Sequence, residues 1–214
     1  MDRPIIFSGS MIRAILDGRK IQTRRTIKHD QQFWEHGGYR PCLMEDGVKW
    51  TFLDRETGLY AKYAPQFKCP YGAPGDRLWV RETWGPCDGG FCYAADEGVR
   101  WRDVKPDDGR WHSSIHMPRE FSRITLEIVA VRVERVSDIS EDDAIAEGVE
   151  EIRPLPSIRG ATKGRGWRDY GIGVGFHQAR QSFHSLWNTI NKARGFGWDQ
   201  NPWVWVITFK RAAP

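Results

Sequence analysis

The sequence predicts an α+β fold: a small mixed β-barrel with flanking helices and two large loop-rich insertions. Three observations lead there. The longest strand signal, residues 123–136, changes its apolar side in mid-course, with Ile124, Leu126 and Ile128 on one face and Val129, Val131 and Val133 on the other. Such a change implies a bulge or sharp bend, as in a strand that wraps around a small barrel. Amphipathic helical runs lie on either side of it in the chain, at 11–16 and 176–191. Between these signals, residues 29–74 and 84–122 scatter glycine, proline and aromatic residues with neither helical nor strand period, and read as insertions into one domain spanning 1–214. That length is enough for a well-buried core.

In chain order, Pro4, Ile5, Ile6 and Phe7 form a short buried strand. Met11, Ile12, Ile15 and Leu16 then share one helical face, with Ser8 or Ser10 as N-cap and Gly18 as the C′ residue. Residues 23–27 have the β-branched character to begin a strand, so the helix-to-strand connection carries Lys20 and Thr23. Within the first insertion, 48–53 and 59–63 are candidate short strands, and Trp34, Tyr39, Trp50, Phe52, Tyr60 and Tyr63 are read as a satellite core in preference to a base-stacking surface. Pro74, Gly75 and Asp76 make a turn into an alternating strand at 77–83, which carries Arg81 and Glu82. The second insertion holds a short strand at 91–94. A short acidic helix follows the long strand, with Ser140 as N-cap, Glu141, Asp142 and Asp143 at the positive end of the dipole, and Gly148 at C′. Glu147 falls in the last turn, where the dipole disfavours a carboxylate. Residues 152–175 form a loop rich in glycine and in Arg153, Arg159, Lys163, Arg165 and Arg168. In the following helix Ala179, Phe183, Leu186, Trp187 and Ile190 share a face, and 203–209 is a strand apolar enough to lie centrally in a sheet.

The formal charge of +4 is mild, but its distribution is uneven: Arg19, Lys20, Arg24, Arg25 and Lys28 follow one another without an acid. Local positive potential of this kind suits a phosphate-bearing partner, and equally a solvated basic surface. With no signal-peptide core and no run of about 20 apolar residues, the expectation is a soluble cytoplasmic protein without a membrane partner. Cys42, Cys69, Cys87 and Cys92 are too few for a disulfide scaffold and should stay reduced in that compartment. They include no C-x₂-C pair, and neither a metal nor any other cofactor is expected. P-loop, dinucleotide, H-E-x-x-H and G-x-S-x-G patterns are absent from the sequence, which argues against the chemistries they serve.

Gly18-x-Lys20-x-x-Thr23-x-Arg25 resembles the G-x-K-x-x-[E/T]-x-R signature of ASCH domains, PUA-like barrels associated with RNA. The order of elements around it is similar, over 5–28, 75–83, 123–148 and 180–209. The form with Thr at the sixth position resembles the small bacterial amidohydrolases that deacetylate N4-acetylcytidine, and the chain as a whole resembles ASCH proteins of bacteriophages and prophages. The resemblance implies Lys20, Thr23 and Glu147 as catalytic residues. It departs from the small enzymes in length, because the two insertions make this chain about twice their size.

Under that resemblance Thr23 supplies a nucleophilic hydroxyl, Lys20 accepts its proton if desolvation and the neighbouring arginines depress its basicity, and Glu147 orients the lysine or protonates the leaving amine. Arg25 or a backbone N–H stabilises the oxyanion. An equivalent scheme has Thr23 bind substrate while water attacks. Arg19, Arg24, Arg25, Arg81 and Arg165 are the candidate contacts to substrate or nucleic acid. The alternative from another class is a module that binds RNA or a modified base without altering it, with Lys20 and Arg25 on phosphate and Thr23 on a base edge. A ribonuclease and a phage interaction protein are the remaining readings. The sequence leaves oligomeric state open.

Overall fold

The computed structural model describes residues 1–28, 38–61, 64–96, 106–152, 166–171 and 175–212. The described elements are strands β1 (Asp2–Ile6), β2 (Gln22–Thr26), β3 (Tyr39–Leu43), β4 (Lys49–Asp54), β5 (Phe67–Lys68), β6 (Arg77–Arg81), β7 (Trp84–Cys87), β8 (Gly90–Tyr93), β9 (Thr125–Arg135), β10 (Glu151–Ile152), β11 (Gly166–Trp167) and β12 (Trp203–Arg211). The helices are α1 (Gly9–Leu16), α2 (Glu141–Ala146) and α3 (Ala179–Asn191), with short 3₁₀ turns between elements. The chain is therefore α+β and mostly sheet. It divides into two compact units: Met1–Ile21, Tyr71–Ala130 and Phe209–Pro214 form the first, and Gln22–Pro70 and Val131–Thr208 the second.

In the first unit β1 pairs in parallel with β6, and β6 pairs antiparallel with the start of β9, with Leu78 opposite Leu126. Leu78, Val80, Ile124, Leu126 and Ile128 are buried, as alternation requires of one face of these strands. α1 buries Ile12, Ala14 and Ile15. It ends where predicted: Ser8 is the N-cap, and Gly18 takes φ +73°, a left-handed conformation that lets the N–H groups of Arg19 and Lys20 both reach the Ala14 carbonyl. A buried ion pair lies outside the predicted site. Glu82, 2% exposed, receives two bonds from Arg123 at 2.9 and 3.0 Å, and Arg123 also meets Asp96 at 2.6 Å and lies 4.0 Å over the Tyr93 ring. Burial pushes the Glu82 carboxyl above its ordinary range against the pull of Arg123.

The β7–β8 hairpin corrects the expectation of four reduced cysteines. Its antiparallel register brings Cys87 and Cys92 to a Cα separation of 5.7 Å, within bridging range, and they form a disulfide, whereas Cys42 and Cys69 are free.

In the second unit β12 runs between β9 and β2, its Val204 to Thr208 pairing antiparallel with β2. Val204 and Val206 face one way, into a core with Val136, Ile139, Ala144, Trp167, Phe183 and Trp187 that α2 and α3 cover. Trp205 faces the other way and packs on Trp50 and Phe67 at ring distances of 5.6 and 5.7 Å. The first insertion thus builds a three-stranded sheet, in the order β3-β4-β5, that supplies a second apolar layer, and Trp50 and Phe52 are core residues as expected. Of the predicted strand at 59–63, the described residues 59–61 show one bridge, at Tyr60, and Tyr60 is 55% exposed and not part of the satellite core; Trp34 and Tyr63 lie outside the described residues. Ile190, placed on the buried face of α3 by its spacing, is 37% exposed in the last turn of the helix, and Ser182 is buried.

β9 also departs from expectation. Val129 is 49% exposed and Val131 and Val133 are only half-buried, so the apolar side does not change over. Leu126 and Ile128 are buried and Ala130 is exposed, and farther along the same parity carries Arg132 and Glu134, which enter a charged cluster.

Among the described residues no helix is long and apolar enough to cross a membrane.

A buried charged cluster as the candidate functional site

Regular pairing of β2 with β12 sets which signature residues share a face. Gln22, Arg24 and Thr26 alternate with Thr23 and Arg25, so Arg24 lies beside Val206 on the α2/α3 side and Thr23 beside Ile207 on the opposite side. Arg24 has no exposed side-chain surface, and its guanidinium carbon lies 5.7 Å over the Phe183 ring. All five of its N–H donors are used: Nε and Nη2 to Glu134 Oε1 (3.1 and 2.5 Å), Nη2 to Asp143 Oδ2 (3.1 Å), and Nη1 to Gln22 Oε1 (2.7 Å) and Glu147 Oε1 (3.1 Å).

Around this hub the other groups hold one another. Gln22 donates from Nε2 to Asp143 Oδ1 at 3.1 Å and Thr208 Oγ1 at 3.4 Å. Arg132 bridges Glu134 Oε2 (3.0 Å) and Asp143 Oδ2 (2.5 Å). Asp143 comes from the first turn of α2, whose N-cap Ser140 accepts its backbone N–H at 3.1 Å, and Glu147 is the C-cap, followed by Gly148 at φ +81°. Glu141 of the same turn caps α3 by accepting the N–H groups of Ala179 and Arg180. Burial alone would raise the Asp143 carboxyl, but the guanidinium groups of Arg132 and Arg24, helped by the Gln22 amide, outweigh it and hold the group below the usual carboxylate range. Two arginines serve three carboxylates here, Glu134, Asp143 and Glu147, and Glu147 is 3% exposed.

The predicted site residues fare differently. Thr23 is 3% exposed and lies on the face of β2 opposite Arg24, the residue that meets Glu147. Lys20, in the first unit, is 1% exposed with Nζ 5.6 Å from the centroid of the Phe7 ring. Arg24, expected to touch substrate or nucleic acid, is instead an internal hub with no N–H left for a phosphate. Arg25 is half-buried on the Thr23 side of β2. Arg19 is at the surface, bonded to Asp17 at 2.8 Å. Arg81 lies 4.7 Å over Trp79 and donates to the Ile115 carbonyl. Arg165 lies outside the described residues. Sequence reasoning missed Gln22, Arg132, Glu134 and Asp143 as members of the cluster. The available signal was the appearance of Arg132 and Glu134 at the parity that carries Leu126 and Ile128 earlier in the same strand. Among the described residues no group of three or more His, Cys, Asp or Glu is placed to hold a metal ion.

No family model matches the chain, and no curated protein matches it. A solved structure that it resembles is the ASCH domain from Lactobacillus crispatus JV V101, 13% identical, with 98% of this chain and 79% of that chain covered. The TM-score is 0.38.

Proposed function

We propose that the chain is a PUA-like barrel domain of the ASCH type that hydrolyses the exocyclic N-acyl amide of an N4-acetylcytidine-like nucleoside or RNA base. The observation that carries the proposal is the burial of two polar side chains of the signature, Lys20 and Thr23, and of Glu147. Lys20, Thr23 and Glu147 are at most 3% exposed, in a protein where such groups ordinarily face water. Burying an amine, a hydroxyl and a carboxylate costs free energy that pairing must offset, as Arg24 does for Glu147.

The chemistry follows from the residue types. The Thr23 hydroxyl adds to the acyl carbon as Lys20 takes its proton, and collapse of the tetrahedral intermediate expels the cytosine amine, which gains a proton from the site. Water then cleaves the acyl ester to release acetate and restore the hydroxyl. If water attacks first, Thr23 instead hydrogen-bonds the substrate. Arg25, on the same side of β2 as Thr23, is the side chain assigned to the developing oxyanion.

The test is release of cytidine and acetate from N4-acetylcytidine by the purified protein, with Lys20→Ala, Thr23→Ala and Glu147→Gln as comparisons. Losses of about 10²-fold or more in kcat for each, as for removal of a general acid–base group, are expected. No turnover by the wild type, with salt-sensitive RNA binding that weakens on Lys20→Ala or Arg25→Ala, would replace the enzyme by a binding module.

A further inference from the structure

We propose that Arg24 is a positioning residue for Glu147, holding its carboxylate in register for the reaction; this rests on the amidohydrolase reading above. Glu147 sits at the C-cap of α2, where the helix dipole repels a carboxylate, and it is buried. Its Oε1 is met by Nη1 of Arg24 at 3.1 Å. Arg24 cannot follow a wandering carboxylate, because Gln22, Glu134 and Asp143 take its other N–H groups and Arg132 clamps Glu134 and Asp143 from the far side. Glu147 Oε1 thus meets a guanidinium held by a frame with anchors on β2, β9 and α2.

A simple counter-ion would need only charge. What this frame uses is the planar fork: one guanidinium addresses four side chains in fixed directions, which a lysine ammonium with three donors on a flexible stem cannot reproduce. Arg24 occupies one of the signature's unspecified positions, between Thr23 and Arg25.

The experiment is a double-mutant cycle on N4-acetylcytidine turnover, comparing wild type, Arg24→Lys, Glu147→Gln and the double variant. Arg24→Lys keeps the charge and loses the fork, and should lower kcat by about 10²-fold, the scale of a misplaced catalytic group, with KM changed less than about threefold. In the Glu147→Gln background the same substitution should have little further effect on kcat, because a group acting through Glu147 has nothing left to act on. Gln22→Leu serves as a second variant. It removes the 2.7 Å partner of Nη1 without changing any charge, and should lower kcat by about tenfold with the thermal midpoint still measurable. Equal losses from Arg24→Lys in both backgrounds, or wild-type kcat in Arg24→Lys, would overturn the positioning role while leaving the amidohydrolase reading intact. A wild type without turnover would remove both.

Discussion

Arg123→Met should destabilise the protein in a way that depends on pH. In the native state Arg123 gives two bonds to Glu82, which is 2% exposed, and one to Asp96. Removing it strands a buried carboxylate, a change that ordinarily costs about 3–5 kcal/mol. Arg123 retains 27% of its side-chain exposure, so water partly screens the vacated site and the lower end, about 3 kcal/mol at pH 7, is the expected loss. The sign of the pH effect follows from the Glu82 carboxyl, which burial already holds above its unfolded range. A raised acid group is fully compatible with folding below its unfolded pKa of about 4.3, and its penalty appears as pH rises through the folded value. Loss of Arg123 moves that folded value further up. The defect should therefore be largest at neutral pH and shrink toward pH 4. Urea unfolding at pH 7, 5.5 and 4.5, for wild type and variant, measures it. A loss that is the same at all three, or below about 1 kcal/mol throughout, would refute the assignment of Glu82 as a buried anion that needs its arginine.

Three further outcomes test the rest of the structure. Asp143 is held low by Arg132 and Arg24, so its contribution is present above the unfolded pKa and lost as pH falls through the lower folded value; Asp143→Asn should cost about 1–2 kcal/mol at pH 7, discounted for partial exposure, and flatten the acid limb of stability below about pH 4, read by denaturant titration. Gly18→Ala should lose about 1–2 kcal/mol from backbone strain alone, since φ is +73° and no atom lies within 4 Å of the added Cβ; a thermal midpoint equal to wild type would contradict the left-handed C′ assignment. Ser140→Ala should cost about 1 kcal/mol, measured the same way, with Ser140→Asp close to neutral because aspartate also caps.

Legibility differed by element. Helix ends were readable because they depend on a few adjacent residues: Ser8 and Gly18 bound α1, although the Ser8 side chain makes no capping bond, and Ser140 and Gly148 bound α2 at the positions their chemistry indicates. β4, β6 and β12 were readable from β-branched and aromatic runs. β3 and β7 were missed because Pro41 and Pro86 lie within them, a residue that argues against a strand interior. The cysteine pair was misjudged because compartment was weighed ahead of hairpin geometry.

The sequence by itself determined the α+β class, the helix ends, Ala179, Phe183 and Trp187 as core residues of α3, and Lys20, Thr23 and Glu147 as the residues whose chemistry invites a functional reading. Only the tertiary structure decided where the charges go. A run such as Arg24-Arg25 looks uniformly basic along the chain, but strand alternation sends its two members to opposite faces, and carboxylates more than a hundred residues away in the chain take all the donors of one except the N–H that meets Gln22. Charge on a sequence is a sum over neighbours in order, whereas charge in a fold is set by neighbours in space. That difference turned Arg24 from a surface contact into the hub that holds Glu147.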